Sequence, residues 1–502
     1  GGVYVTANDN VTGTLNGAIT TTNGDGLNVL VNGGGSVGLT TGGAITSTNG
    51  DGVHIQVNGS GAVVLTTNGV VDGGGGLGDD GIDITTVGGG KITLTTNADV
   101  FGDPGVILTG SGGGILYNAN ANVTGANGGI VTTETSGLTT VNVNLASQVA
   151  GGLGSGVSLT ATSAGNIILT SAAATDIAGT TGVVGVTNGA GTINATLAGS
   201  VNSSGGDGVN LSTNAGQINV TTGVVNATGG DGVDASSASG AIYAVSNGAV
   251  VATGTGVKAA SAGLIDLDIN GNVTGAAGVS GATTGALTTV NINTQAATTV
   301  TGTAGLGVSG STVGGLLTIT ANSAVNGSTG GVSGTSATGV VNVVTNGVVT
   351  SSGGVGVNGS SGGNVSLDVN NNVTGTTGVR GATSGALTTV TIDTQAGTTT
   401  TGTAGNGIQG STVGGLLTVT ANGAVAATGG DGINATSGTG NVVVTTADVV
   451  GSTTDDGVET STGGAGTSTV TVGASINAAD DGVVTLTSAG LNSVAFNTGT
   501  IT

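Results

Sequence analysis

The sequence predicts an all-β protein, a right-handed parallel β-helix (β-solenoid) of about 20 coils, with about 25 residues and three strands per coil. Three observations predict it. Short runs alternate apolar and polar residues, turn-forming residues separate the runs, and the same phrase returns along the whole chain. We expect a single solenoid domain over residues 1–502, because no proline-rich tract, charge run or change of composition marks a linker.

The alternation is clearest between Gly206 and Thr228, where three short runs are separated by Asn-Ala-Gly, Thr-Gly and Gly-Gly-Asp-Gly. Successive side chains of a strand point to opposite faces, so one set of residues faces the interior and the other faces solvent. We expect the aliphatic set to be buried: Val209, Leu211, Ile218, Val220, Val225 and Ala227. The interleaved asparagines are expected to face outward: Asn210, Asn219 and Asn226.

The period is set by the glycine that precedes Val, Ile or Leu after each third corner, which we call the anchor glycine. There are 19 intervals from Gly2 to Gly482, so the mean period is about 25 residues, within the range of solenoids. The six-residue apolar beat of a left-handed hexapeptide helix is absent. The twenty anchors are Gly2, Gly26, Gly52, Gly81, Gly105, Gly129, Gly156, Gly182, Gly208, Gly232, Gly256, Gly278, Gly307, Gly331, Gly356, Gly378, Gly407, Gly432, Gly457 and Gly482.

A longer repeat overlies the coils. The segment 273–290 returns with few substitutions at 373–390, and 310–319 returns at 410–419. A four-coil block is therefore duplicated around 273–320 and 373–420. With about 4.7–4.9 Å per stacked strand, 20 coils predict a rod roughly 90–100 Å long.

Composition excludes several functional classes. The chain carries a formal net charge of −22 and has only three basic residues besides its single histidine, namely Lys91, Lys258 and Arg380. Nucleic acids and anionic membranes are recognised through many basic groups, so neither is an expected partner. Apolar runs stay well short of the roughly 20 residues that a membrane span needs, so no membrane span is expected.

Catalytic machinery is also scarce, and we expect no enzyme activity. His54 is the only histidine and there is no cysteine, so Ser-His and Cys-His catalysis lack components. Since His54 lies between Val53 and Ile55, we expect it on the outward face. The pair Asp266 and Asp268 leaves a polysaccharide-acting enzyme as a remote alternative, because glycosidases use two carboxylates. Repeated Leu-Thr-Thr strands leave ice binding as a second remote alternative.

Aspartates recur beside the anchor glycines, and two interpretations of them stay open. Asp-Gly is a favoured turn pair where φ must become positive, which is the simpler interpretation. Alternatively, carboxylates stacked about 5 Å apart on successive coils bind Ca²⁺, which prefers oxygen ligands. We expect no other cofactor. The candidate ligands are Asp25, Asp51, Asp80, Asp103, Asp207, Asp231, Asp431, Asp456 and Asp481.

Asparagines recur in a similar way. Asn118, Asn120, Asn122 and many Asn-Gly corners predict side-chain amide ladders that support the turns without binding a ligand.

The repeated GDGV and GDGI corners, LTT strands, NGAV and NGVV strands and NVTG phrases resemble the β-solenoid passenger regions of bacterial autotransporters and filamentous surface adhesins. The resemblance covers essentially the whole chain and implies export from a Gram-negative bacterium to the cell surface. Since no segment resembles that family's membrane-anchoring barrel, we expect a released passenger or a self-assembling subunit. Neither end of the repeat has a polar cap, so we expect a structural rod that stacks head to tail on itself. The alternative is an adhesin that binds a ligand on a host or neighbouring cell.

Overall fold

A computed structural model describes residues 1–144 and 147–502, and it confirms the predicted three-sheet parallel β-solenoid. The described residues form 59 strands and no helix, in about 20 turns of about 25 residues. They therefore contain no helix long and apolar enough to cross a membrane. Contacts divide the chain into two compact units, residues 1–254 and 255–502. The single domain expected from the sequence stays a prediction.

The first unit contains ten strands in each sheet, taken in rotation along the chain. Its part of sheet 1 consists of β1 (Val3–Ala7), β4 (Leu27–Val31), β7 (Val53–Val57), β10 (Ile82–Thr86), β13 (Val106–Gly110), β16 (Ile130–Glu134), β19 (Ser155–Ala161), β22 (Thr181–Thr187), β25 (Val209–Thr213) and β28 (Val233–Ser237). Its part of sheet 2 consists of β2 (Val11–Leu15), β5 (Val37–Thr41), β8 (Val63–Thr67), β11 (Ile92–Thr96), β14 (Ile115–Ala119), β17 (Thr139–Val143), β20 (Ile167–Ser171), β23 (Ile193–Leu197), β26 (Ile218–Thr222) and β29 (Ile242–Ser246). Its part of sheet 3 consists of the short strands β3 (Ile19–Thr21), β6 (Ile45–Ser47), β9 (Val71–Asp72), β12 (Val100–Gly102), β15 (Val123–Gly125), β18 (Gln148–Ala150), β21 (Asp176–Gly179), β24 (Ser200–Ser203), β27 (Val225–Ala227) and β30 (Val250–Ala252).

The second unit repeats this order. Its part of sheet 1 consists of β31 (Val257–Ser261), β34 (Val279–Thr283), β37 (Leu306–Thr312), β40 (Gly330–Ser336), β43 (Val357–Ser361), β46 (Val379–Thr383), β49 (Ile408–Thr412), β52 (Ile433–Ser437), β55 (Val458–Thr462) and β58 (Val483–Thr487). Its part of sheet 2 consists of β32 (Ile265–Ile269), β35 (Val290–Thr294), β38 (Leu317–Ala321), β41 (Val341–Thr345), β44 (Val365–Val369), β47 (Val390–Thr394), β50 (Leu417–Ala421), β53 (Val442–Thr446), β56 (Ser468–Val472) and β59 (Asn492–Phe496). Its part of sheet 3 consists of β33 (Val273–Gly275), β36 (Thr299–Gly302), β39 (Ala324–Gly327), β42 (Val349–Ser351), β45 (Val373–Gly375), β48 (Thr399–Gly402), β51 (Ala424–Ala427), β54 (Val450–Ser452) and β57 (Ile476–Asn477).

The duplicated segments fold alike. The strands of 273–302 recur with the same bounds 100 residues later, as Val373–Gly375, Val379–Thr383, Val390–Thr394 and Thr399–Gly402.

The core consists of aliphatic ladders, because equivalent residues of successive coils pair in register. In β25, for example, Val209 pairs with Val183 on one side and Val233 on the other, and all three are at most 1% exposed. The six inward residues predicted between Gly206 and Thr228 are all buried, and the three asparagines between them are only partly covered. Period-two alternation of small aliphatic residues is thus sufficient to place the core.

Candidate functional site

The nine predicted aspartates lie at the corner where each coil passes from sheet 3 into sheet 1, which we call the acidic corner. Their burial differs along the chain. Asp51, Asp80, Asp103 and Asp431 are buried, whereas Asp481 is exposed. The corner is therefore not a uniform row of solvated charges.

The anchor glycines are required for space. The prediction that Asp-Gly serves a positive φ is wrong, because no anchor glycine is among the residues with positive φ that the structure describes. A Cβ placed on Gly208 would instead lie 2.3 Å from Cγ1 of Val225 and 2.6 Å from the carbonyl oxygen of Gly232. A Cβ on Gly356 would meet Cγ1 of Val373 at 2.4 Å. The first strand of a coil thus packs so closely on the third strand and on the next coil that only glycine fits.

The aspartate that precedes the anchor joins successive coils. One carboxylate oxygen accepts the backbone N–H of the equivalent residue in the next coil: Asp25 from Asp51 at 3.1 Å, Asp51 from Asp80 at 2.8 Å, and Asp207 from Asp231 at 2.8 Å. These carboxylates therefore pair with backbone donors of the next coil.

The other carboxylate oxygen often accepts a side-chain N–H from the residue three positions later. Asn210 donates to Asp207 at 2.7 Å, and Asn434 donates to Asp431 at 2.7 Å. The acidic corner is in this respect a structural hydrogen-bonded ladder.

The ladder is interrupted, so the nine aspartates do not form one continuous row. Asp103 accepts from both the backbone and the side chain of Asn127, at 2.6 and 2.8 Å. The backbone N–H of Asp431 donates to the side-chain oxygen of Asn406 at 2.9 Å, so an asparagine stands where the preceding coil would have a corner aspartate. The structure groups the rest as Asp25 with Asp51 and Asp80, Asp207 with Asp231, and Asp456 with Asp481.

His54 occupies the position three after Asp51 and differs from the other corners. It faces outward as predicted, but its side chain is only 28% exposed, and Nδ1 lies 3.1 Å from Asp51 Oδ2 and 3.3 Å from Asp83 Oδ2. Asp83 is the register partner of His54 on the next coil. The hydrogen bonds to Asp51 and Asp83 raise the pKa of His54 to about 10, against the opposing effect of burial. Nδ1 of His54 thus lies beside two carboxylates, which favour the protonated form of the ring.

Asp80 lies beside this group. Burial, followed by the charges of Asp51, Asp83 and Asp103, raises the pKa of Asp80 to about 8. Three carboxylates, those of Asp51, Asp80 and Asp83, offer ligand atoms within 4.8 Å of one another. Asp83 is not among the residues predicted from the sequence. Its position three residues after a corner aspartate, the same spacing as His54 from Asp51, could have indicated that it lies beside the acidic corner.

Two further groups have the same spacing of ligand atoms. They are Asp25 with Asp51 and His54, and Asp431 with Asp455 and Asp456.

The residues behind the two remote alternatives, a polysaccharide-acting enzyme and ice binding, lie at outward positions of regular strands. Asp266 and Asp268 lie at alternate outward positions of β32, and burial, then the charge of Asp268, raises the pKa of Asp266. Asp268 accepts a hydrogen bond from Asn293 at 3.3 Å, so it begins an amide ladder. Outward threonines form a short file in sheet 2, with Thr40, Thr66 and Thr95 in Leu-Thr-Thr strands. The file meets an asparagine at its fifth position: Thr14, Thr40, Thr66, Thr95 and Asn118.

The predicted asparagine ladders are confirmed. In the first unit Asn144 donates to Asn120, Asn120 to Asn97, and Asn97 to Asn68, each at 2.8 Å. The second unit has an equivalent ladder through Asn370, Asn346, Asn322 and Asn293, at 2.9, 2.6 and 3.2 Å. Asn118 accepts from Asn142, and Asn122 accepts the backbone N–H of Gln148. In these two ladders, outward asparagines thus bind the equivalent asparagines of neighbouring coils.

Comparison with known proteins found no matching family, no matching curated protein and no matching solved structure. The resemblance to autotransporter passenger regions therefore stays a prediction, and the functional argument rests on the geometry of the chain.

Proposed function

We propose that this chain is an extracellular structural protein, a β-solenoid rod that stacks end to end into a fibre or sheet on a bacterial surface. One observation carries the proposal: inward and outward side chains alike are used to bind the neighbouring coil. Aliphatic residues stack inside, and amides and carboxylates form hydrogen-bonded ladders outside. Repeats that bind their neighbours in this way give stiffness along the solenoid.

The proposed joint involves the outermost strands of the described chain. In the part of the chain that the structure describes, β1 pairs only with β4, and β59 pairs only with β56. β59 leaves Val494 40% and Phe496 51% exposed. An edge strand presents unpaired N–H and C=O groups that accept another strand. We propose that the first coil of a second copy adds to the last coil, with β1 beside β58, because Val3 and Val483 each directly follow an anchor glycine and so hold the same register position.

The proposed stacking is heterologous and does not close on itself, so it produces filaments. A charge in the inward ladder at the edge should block it, and Val494→Lys places lysine there, opposite the buried Val470. We expect the unaltered chain to pellet in the ultracentrifuge and Val494→Lys to stay in the supernatant. The matched control is Val443→Lys, at an outward position of β53 that is paired on both sides, and it should pellet normally. Pelleting of Val494→Lys equal to that of the unaltered chain would contradict the proposal.

A second candidate is an adhesin-type binding module, favoured by a duplicated apolar feature of the second unit. Leu287 and Leu387, equivalent residues of the duplicated block, are 87% and 88% exposed. The loop that carries each of them packs against the following coil, since a Cβ on Gly315 would lie 1.8 Å from the carbonyl oxygen of Thr288 and one on Gly415 would lie 1.7 Å from that of Thr388. That coil carries a further exposed leucine, Leu316 or Leu416. Exposed apolar patches of this kind mark interaction sites.

Retention on an octyl-derivatised resin tests this second candidate. The double variant Leu287→Ser, Leu387→Ser should elute earlier than the unaltered chain, whereas Leu77→Ser, at a lone leucine of the first unit that is 90% exposed, should elute little changed. Equal retention of the double variant and the unaltered chain would remove the candidate.

A further inference from the structure

We propose that Asp51, Asp80 and Asp83 bind one calcium ion at the acidic corner of the first unit. We call these three residues the triple-aspartate cluster. Of the nine candidate calcium ligands suggested by the sequence, only Asp51 and Asp80 belong to this cluster, and Asp83 is a new one. It does not depend on end-to-end assembly, because the cluster lies within one unit.

The geometry brings the three carboxylates to one point. Asp51 and Asp80 precede the anchors of adjacent coils, and Asp83 follows Asp80 on β10. One ligand oxygen from each lies within 4.8 Å of the others. Asp51 and Asp80 are only 9% and 8% exposed, so water does little to separate their charges. Residues 1–254 contain a single Lys or Arg, Lys91, and the one histidine, His54, contacts only Asp51 and Asp83 of the cluster, so a single imidazole faces three carboxylates.

A second observation points to a ligand. Among the described residues, Oδ1 of Asp80 is buried and has no hydrogen-bond partner. A buried carboxylate oxygen is normally paired or coordinates a metal ion, because leaving it unpaired costs free energy. Ionised Asp51 and Asp83 cannot donate to it, and a proton on Oδ1 itself would find no acceptor within hydrogen-bond distance in the described part of the chain. A cation between the three carboxylates supplies the missing partner.

The donor chemistry selects calcium. All three ligands are carboxylate oxygens, which hard ions prefer, whereas Zn²⁺ and Cu²⁺ favour nitrogen or sulfur. Ca²⁺ also tolerates irregular geometry, while Mg²⁺ demands a near-ideal octahedron. His54 binds Oδ2 of both Asp51 and Asp83 through one ring nitrogen. Hydrogen bonds of this type orient metal ligands without joining the coordination shell.

The acidic group of the second unit, Asp431 with Asp455 and Asp456, has no buried carboxylate oxygen without a hydrogen-bond partner among the described residues. Asp431 accepts a hydrogen bond from Asn434, and Asp455 is exposed. We therefore propose no ion there. The same comparison provides a control, since Asp207 is a corner aspartate that has amide partners and lies outside the three-ligand groups of the described residues.

Isothermal titration of the EGTA-treated full chain with CaCl₂ tests the proposal, together with thermal unfolding in CaCl₂ and in EGTA. We expect one saturable site and a higher unfolding midpoint in CaCl₂, with MgCl₂ at least roughly tenfold weaker. Asp80→Asn should abolish both effects, and the control Asp207→Asn should retain both. Should Asp80→Asn fail to fold, Asp83→Asn serves, because the Asp83 side chain is 21% exposed.

Two results would overturn the proposal. One is the absence of both saturable heat and a midpoint shift in the unaltered chain. The other is a folded Asp80→Asn or Asp83→Asn variant that titrates like the unaltered chain.

Discussion

Replacing Gly208 by alanine adds one methyl group where the first and third strands of a coil meet. The added Cβ would lie 2.3 Å from Cγ1 of Val225 and 2.6 Å from the carbonyl oxygen of Gly232. Both distances are far shorter than van der Waals contact, so atoms must move. The Gly232 oxygen already accepts the N–H of Val209 at 2.9 Å, and a shift weakens that bond between coils.

The expected cost follows from these two contacts. Overpacking a filled core costs about 1–3 kcal/mol. Weakening one backbone hydrogen bond adds up to about 1 kcal/mol. Gly208→Ala should therefore lower the free energy of unfolding by about 1–4 kcal/mol.

The matched control is Gly17→Ala, since Gly17 is exposed and a Cβ there would meet nothing within 4 Å. It should be neutral or slightly stabilising, because alanine restricts the unfolded chain.

Urea unfolding followed by circular dichroism measures the loss, and hydrogen exchange of peptides covering 200–235 shows whether it is local. We expect faster exchange there in Gly208→Ala and no change in Gly17→Ala. Stability of Gly208→Ala within about 0.5 kcal/mol of the unaltered chain, the usual scatter of surface substitutions, would refute the steric account of the anchor.

Three further predictions concern single side chains, each measured by urea unfolding. Burial, followed by the charge of Asp431, raises the pKa of Glu459 in the folded chain. Because ionised Glu459 is disfavoured in the fold, the free energy of unfolding should fall as the pH rises above the ordinary glutamate range. In EGTA, Glu459→Gln should reduce this pH dependence and raise the free energy of unfolding at pH 7 by no more than about 1 kcal/mol, because solvent screens the group. An unchanged pH profile of the free energy of unfolding would contradict this. Asn346→Ala removes two exposed hydrogen bonds between side-chain amides and should lower the free energy of unfolding by about 0.5–1 kcal/mol. A loss above about 2 kcal/mol would show that the ladder acts cooperatively. Glu134, fully buried, accepts N–H groups from Thr135 and Gly137 at 3.0 and 3.2 Å, so Glu134→Ala should cost about 3 kcal/mol; a neutral result would mean that the turn finds other acceptors.

The fold was predictable because its determinants are local and repeated. Alternation around Val209 fixes which residues are inward, and the anchor spacing fixes the coil. The asparagine ladders were predictable for the same reason, since in-register stacking brings equal side chains together.

The chemistry of the acidic corner was less predictable. Sequence pattern alone does not distinguish a glycine kept for positive φ from one kept for space; the backbone angles of the anchors and the lack of room for a Cβ on Gly208 decide it. The partnership of His54 with Asp83 depends on register between coils 29 residues apart, an interval lengthened by the loop before Asp80. Burial of Asp80 likewise depends on its neighbours in adjacent coils and not on its own Asp-Gly phrase.

Electron microscopy of the purified full chain tests the central claim, a structural rod that assembles end to end, most directly. End-to-end assembly predicts filaments whose axial repeat matches the roughly 90–100 Å expected for about 20 stacked strands. Separate particles that do not join as the protein concentration is raised would contradict it.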